Sequence, residues 1–218
     1  MKITKFPQSC LMVESGGVRL LFDPGALKYR DEYFDIWDSA DAVFITHKHP
    51  DHCYAEKIAK FRNSLPVYTT AEAAAAYPEL SRAVRIAEGD KIAVGGISVT
   101  AVKAVHGYHP MMKGNEVYEN VGFVADDGAV CLYITGDTIC FPTDIKANAL
   151  AMPVTGHGVT MTAFEASLFA KETGAKTILL THMDNEAFEV DYAYIDKHFG
   201  KAGLEYIVPD SGWSLEIS

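Results

Sequence analysis

The chain has 218 residues, enough for one domain that buries about 70% of its unfolded surface and needs no disulfide or metal staple to fold. Hydrophobic residues make up 49% and charged residues 22%, which excludes a disordered chain and fits a soluble globular protein. Lys plus Arg total 19 against 29 Asp plus Glu, and the net charge of −10 opposes binding to nucleic acid or to an anionic membrane surface.

Residues 1–5 lack the long apolar core of a secretion signal. Residues 10–14 and 18–22 read as two strands of a hairpin turning at Ser15-Gly16-Gly17, where glycine permits positive φ. The second strand delivers Asp23-Pro24-Gly25. Residues 26–40, with Tyr29, Arg30, Tyr33 and Trp37 among acidic residues, read as an irregular connection long enough to approach a site. Residues 42–46, Ala-Val-Phe-Ile-Thr, form the apolar, β-branched run of a buried strand.

That strand leads into His47-Lys48-His49-Pro50-Asp51-His52. Extended backbone aims His47 and His49 to one side. Pro50 breaks the strand, and Asp51 is placed to cap a helix suggested by Ala55, Ile58, Ala59 and Phe61. Asp51 and His52 then project from a helix start. Two ligand pairs on either side of one turn suit two metal ions about 3.5–4 Å apart. The plainer alternative, a capping loop with incidental histidines, leaves three crowded imidazoles hard to satisfy. Cys53 beside them reads as a buried small hydrophobe rather than a nucleophile.

Further on, residues 66–70 form a short strand and residues 71–77 an alanine-rich helix. Over residues 84–105 the apolar period becomes two, with turns at Glu88-Gly89-Asp90 and Gly95-Gly96, and the pattern predicts an antiparallel meander whose last strand ends at His106. Residues 107–122, with Tyr108, His109, Met111, Met112 and Lys113, read as a rim loop. Residues 121–125 and 130–135 flank the turn Asp126-Asp127-Gly128 and run into Gly136-Asp137-Thr138. Thr162 and Glu165 have capping-box spacing for a helix that Gly174 closes, after which residues 177–181 form a buried strand that delivers His182. His198 lies in an ordinary helix near the end, and residues 204–208 and 213–217 read as a closing hairpin. No Pro/Gly/Ser linker divides the chain, so residues 1–218 are expected to form one domain. Cys10, Cys53, Cys131 and Cys140 show no Cys-x-x-Cys spacing, and no apolar run reaches the ~18 residues of a membrane span, so the expected location is the cytoplasm.

His47, His106, Asp137 and His182 each follow, or nearly follow, a strand-like run, and strand ends are where α/β folds gather ligands. A lone histidine in such a place is ordinarily a surface residue, so His106 and His182 are candidates because of the motif. His106 is preferred to His109 because it is nearer the strand end.

The His-x-His-x-Asp-His run resembles the signature of the metallo-β-lactamase superfamily. The resemblance implies an α/β fold, a four-layer αββα sandwich of two mixed sheets flanked by helices. It implies two metal ions per chain, mostly zinc in this superfamily, with Mn2+ or Fe2+ as alternatives. In the roles it supplies, His47, His49 and His106 hold one metal, Asp51, His52 and His182 the other, and Asp137 bridges. The superfamily often places an aspartate near the metals, and Asp23 either fills that place or starts a turn. A water shared by two zinc ions has its pKa lowered from ~15.7 toward ~7, giving a hydroxide nucleophile that Asp51 orients, or for which it carries a proton.

The expected activity is hydrolysis of a small, anionic ester, lactone or phosphodiester, with no nucleic-acid or membrane partner. Candidate substrate contacts are His109, Lys113 and His157, against the readings that Lys113 is plain surface and His157 an ordinary loop residue. Two alternatives remain: an iron-dependent oxidoreductase or dioxygenase of the same fold, and a metal-binding sensor without turnover. His49 counts against the flavodiiron branch, which has glutamate in that place.

Overall fold

Alternation at the start of the chain becomes three antiparallel strands, β1 (Lys2–Lys5), β2 (Leu11–Ser15) and β3 (Val18–Phe22). Their registers place Ile3 opposite Val13 and Val13 opposite Leu20, so one apolar row faces the same side. Helix α1 (Phe34–Asp38) crosses to β4 (Ala42–Phe44), helix α2 (Ala55–Ile58) to β5 (Val67–Thr69), and helix α3 (Ala71–Ala76) to β6 (Val84–Arg85). These three strands extend the sheet in parallel from β3. The computed structural model describes residues 1–186 and 189–218.

A second sheet begins with the antiparallel strands β7 (Lys91–Val94), β8 (Ile97–Lys103), β9 (Val121–Asp126) and β10 (Cys131–Ile134). It continues in parallel through β11 (Ala149–Pro153) and β12 (Thr177–Thr181), linked by helix α4 (Ala163–Thr173). Thr162 closes a full capping box with Glu165, and Gly174 ends α4 at φ 70°, the left-handed conformation that glycine enters without strain. Helix α5 (Tyr192–Ala202) follows, and β13 (Ser214–Glu216) returns to pair with β1. The sheet orders are β13-β1-β2-β3-β4-β5-β6 and β12-β11-β10-β9-β8-β7.

Three apolar cores define the layering. Between the sheets lie Leu20, Phe22, Phe44, Val99, Phe123, Leu132 and Leu179, with the Phe22 and Phe44 rings stacked at 5.2 Å. The alternate residues of the first sheet, Met12, Leu21, Val43 and Ile45, pack outward on Trp37, Ile58 and Phe61 of the α1 and α2 region. Those of the second sheet, Leu150, Met152, Ile178 and Leu180, pack on Phe169 of α4 and on Ile195 and Phe199 of α5. Helices therefore cover both outer faces of two mixed sheets, the αββα sandwich expected from the motif.

Several expectations need correction. The meander over 84–105 splits: β6 joins the first sheet, paired in parallel with β5 through Tyr68 and Val84, and only β7 and β8 form a hairpin. Period two shows which face of a strand is buried, not which sheet it joins. Residues 204–208 and 213–217 do not form a hairpin; Ile207 bridges to Leu179 in the second sheet, whereas β13 completes the first. The 26–40 connection contains a 3-10 turn at Asp31–Tyr33 and α1, because Tyr33 and Trp37 bury against Phe6. Asp51 does not cap α2, which starts at Ala55 with Tyr54 at its N-cap and no side-chain bond. Strands β1 and β11 have no counterpart in the sequence reading.

Candidate metal centre

Strands β8, β10 and β12 run in one direction, so His106, Asp137 and His182 leave the second sheet on one edge, where the turn after β4 presents His47, His49, Asp51 and His52. The 49–53 turn is closed by His52 N–H and Cys53 N–H, both donating to the His49 carbonyl at 3.0 and 2.9 Å. Ala26 N–H donates to the Pro50 carbonyl at 2.7 Å, and a Cβ on Gly25 would sit 1.8 Å from the Asp51 oxygen, so only glycine lets the two backbones approach.

The seven residues form three overlapping groups whose ligand-type atoms lie within 4.8 Å of one another: His47 with His49 and His106, Asp51 with His52 and His182, and Asp137 with His47 and His52. Asp137 sits between the first two. One of its carboxylate oxygens lies 3.3 Å from His52 Nε2; the other lies 3.6 Å from His182 Nε2 and 4.0 Å from His106 Nε2. His182 Nε2 meets Asp51 Oδ2 at 2.8 Å. His47, His52, Asp137 and His182 are buried.

Oxygen acceptors assign one nitrogen of each of four imidazoles as the donor. His47 Nδ1 faces the Thr46 hydroxyl at 2.9 Å, and that hydroxyl itself donates to Asp23. His52 Nδ1 donates to Asp23 Oδ2 at 2.8 Å, His106 Nδ1 to the Gly107 carbonyl at 2.7 Å, and His49 Nε2 to the Asn115 carbonyl at 3.0 Å. The remaining nitrogens point inward. His47 Nε2 and His49 Nδ1 then stand 3.2 Å apart with no hydrogen between them. His52 Nε2 faces Asp137 Oδ1 at 3.3 Å, and His106 Nε2 is buried without a hydrogen-bond partner among the described residues. The facing lone pairs of His47 and His49 and the orphaned nitrogen of His106 are destabilising unless a cation lies among them, so the donor set fits metal ions.

Charge within the cluster is sharply divided. Burial, reinforced by neighbouring His52 and His106, holds His47 well below the usual imidazole range, and burial also lowers His106. Burial disfavours charged His52, but Asp137 and Asp23 outweigh it and raise His52 well above its ordinary value. Asp137 and Asp51 likewise outweigh burial at His182 and raise it. In the same way His182 and His52 overcome burial to hold Asp137 far below the carboxylate range, and the bond from His182 brings Asp51 down to about 2.

The tentative substrate contacts lie outside these groups. His109 is half-buried at the start of a 3-10 turn, Pro110–Met112, and accepts from Met111 N–H at 3.2 Å. Lys113 is exposed just beyond. His157 is exposed with φ 57°, its Nε2 3.3 Å from the Glu189 carbonyl. The His106 and His157 loops do meet, through Gly107 N–H donating to the Val159 carbonyl at 3.0 Å. Lys48 turns away from the cluster to Glu72 at 2.7 Å. Cys53 is buried, and its thiol is pushed above its usual range by burial. Asp23 is part of the site through Thr46 and His52. Thr46, the Asn115 carbonyl and Asn120, whose amide donates to the Asp137 carbonyl, were not foreseen; only the position of Thr46 at a strand end signalled it.

The sequence matches the family model described as a beta-lactamase superfamily domain over residues 2–182. It is 32% identical to Protein Rv0786c of Mycobacterium tuberculosis over 162 residues, 70% of this chain and 73% of the relative. It is 28% identical to a UPF0173 metal-dependent hydrolase of Methanocaldococcus jannaschii over 99% of this chain and 100% of that one. Among solved structures, the isothiocyanate hydrolase from Delia radicum gut bacteria superposes with a TM-score of 0.80 at 18% identity, covering 100% of both chains, a likeness of fold.

Proposed function

The chain belongs to the beta-lactamase superfamily domain family, and from that premise we propose that it is a metal-dependent hydrolase acting on a small ester, lactone or phosphodiester. The observation that carries this reading is the convergence of five imidazoles and two carboxylates, with His47 Nε2 and His49 Nδ1 facing each other at 3.2 Å. The name of its archaeal relative, a metal-dependent hydrolase aligned along the whole chain, supports it.

His47, His49 and His106 would hold one metal, Asp51, His52 and His182 the other, and Asp137 would lie between them; we assign zinc to both. Bound there, the metals would supply a nucleophile from water at neutral pH and polarise the bond to be cleaved. The protein's own groups set the rest. Asp23 and Thr46 fix the orientation of His47 and His52, and the Asn115 and Gly107 carbonyls do the same for His49 and His106. Asp51, its side chain 20% exposed, offers a carboxylate to an approaching water. With its pKa near 2 it scarcely holds a proton at neutral pH, so it suits orienting the attacking water by accepting a hydrogen bond better than storing a proton.

The net charge of −10 favours a small substrate over a polynucleotide. The reading places the protein in the cytoplasm; no helix among the described residues is long and apolar enough to cross a membrane. Substrate selection is assigned to the rim, where Lys113 and His109 meet an anionic group and His157 faces it from the adjoining loop. The test is to load the purified chain with zinc and screen small lactones, esters, phosphodiesters and single-stranded RNA and DNA. Turnover of a small compound that stops on chelation is expected; cleavage of RNA or DNA alone would overturn the substrate class. Iron in the protein as isolated, with oxygen consumption and no hydrolysis, would favour the oxidoreductase.

A further inference from the structure

Behind His182 lies a buried polar knot that the proposed chemistry does not use. His182 has φ 62° and Gln8 has φ 57°, a left-handed conformation that side chains other than glycine rarely adopt, and the two residues are bonded to each other: His182 N–H donates to the Gln8 carbonyl at 3.1 Å. Asp184 closes the loop. Its carboxylate accepts from Gln8 N–H at 3.1 and 3.3 Å and from Gln8 Nε2 at 2.9 Å. Gln8 itself is wholly inaccessible to solvent, in a tight 6–10 turn held by Phe6 N–H on the Cys10 carbonyl at 2.8 Å. The buried Lys5, which leads into that turn, feels the Asp184 charge.

We propose that Gln8 is a positioning residue for the metal centre: with Asp184 it clamps the His182 segment in the left-handed conformation that brings His182 Nε2 to 2.8 Å from Asp51 and 3.6 Å from Asp137. This rests on the reading of His182 as a metal ligand. The chemistry of Gln8 separates it from a residue kept for folding alone. Its Oε1 is buried with no partner among the described residues, and burying an unpaired amide oxygen lowers stability. An apolar side chain of similar length, such as methionine, would avoid that loss. What glutamine adds is the Nε2–H bond to Asp184. A group that costs stability while orienting a ligand is a signature of function.

The experiment is stepwise Co2+ titration of the metal-free protein, followed by visible absorption, for the wild type, Gln8→Met, Asp184→Asn and His182→Ala, with thermal melting of each metal-free protein. His182→Ala identifies the step that depends on this ligand. In Gln8→Met the clamp predicts that this same step weakens by about 10-fold or more, with the other step unchanged and a melting temperature equal to or above wild type. Asp184→Asn, which keeps an acceptor oxygen, should bind Co2+ closer to wild type than Gln8→Met does. Unchanged affinity at both steps in Gln8→Met overturns the clamp, as does an equal loss at both steps with a lowered melting temperature. A wild type that takes up fewer than two Co2+ ions overturns the two-metal reading, and the clamp falls with it.

Discussion

The two halves of the candidate centre are built differently. The first sheet supplies His47, His49, Asp51 and His52 from one six-residue turn; the braces of His47 and His52, Asp23 and Thr46, lie at the ends of neighbouring strands, while His49 leans on the distant Asn115 carbonyl. The second sheet supplies His106, Asp137 and His182 singly, from the ends of β8, β10 and β12. His106 is braced by its neighbour Gly107, but the other two are held from further along the chain: Asn120 holds the Asp137 backbone, and Gln8 with Asp184 holds His182. The contrast teaches that the first half carries most of its own support, His49 excepted, whereas His182 of the second is placed only once both sheets have packed. Damage to the first half should act locally; damage to the second should act through position.

The largest effect is expected where the halves meet. Asp137→Ala removes the one carboxylate that approaches His52, His106 and His182, and elemental analysis should find both metals lost, a larger effect than the ~10–100-fold weakening typical of supporting residues. Full metal content in this variant would break the assignment. His49→Ala and His182→Ala should each preferentially empty one site, and equal losses in both variants would erase the distinction between the halves.

Next in size is Asp23→Ala, which tests the self-supporting half. It leaves the buried Thr46 N–H without its 2.8 Å acceptor and His52 Nδ1 without its partner. A stability loss of roughly 1–3 kcal/mol by denaturant melts is expected, together with weaker binding at the site that uses His52. Asp23→Asn, which keeps one acceptor oxygen, should recover part of the stability.

Proton competition gives a graded effect on both halves. His52 and His182 are raised above the ordinary imidazole value of ~6.5, so the metal-free fold binds protons there more tightly than the unfolded chain. Their stabilising contribution is complete below ~6.5 and is lost as pH climbs through the raised folded values. Metals must displace those protons, so apparent metal affinity should rise with pH across the same window, with proton release on binding. Chelator competition at several pH values measures this, and affinity independent of pH would contradict the charge pattern. The smallest effects belong to the rim: His109→Ala and Lys113→Ala should leave metal content unchanged and stability within about 0.5 kcal/mol, changing KM for an anionic substrate rather than its metal dependence.

The same contrast explains what the sequence revealed. Four candidate ligands were legible because they fall within six residues, and the single ones at 106, 137 and 182 because each follows a readable apolar strand. The αββα layering followed from the motif's resemblance, and the capping box at Thr162 and Glu165 appeared as read. Pairing between remote segments was not legible: β6 and the 204–208 segment carry ordinary apolar patterns that fit either sheet, and β1 joins the first sheet by pairing with both β2 and β13. Local propensity favours Asp51 as a helix cap, yet its carboxylate turns to His182, 131 residues away. Gln8 carries no sequence signal at all, since its role depends on a left-handed backbone and on Asp184.

The most direct test of the two-metal centre is anomalous X-ray diffraction from zinc-loaded crystals. The account predicts two zinc peaks about 3.5–4 Å apart, one against His47, His49 and His106, the other against Asp51, His52 and His182, with Asp137 reaching both. A single peak, or a peak coordinated by His109 in place of His106, would contradict it.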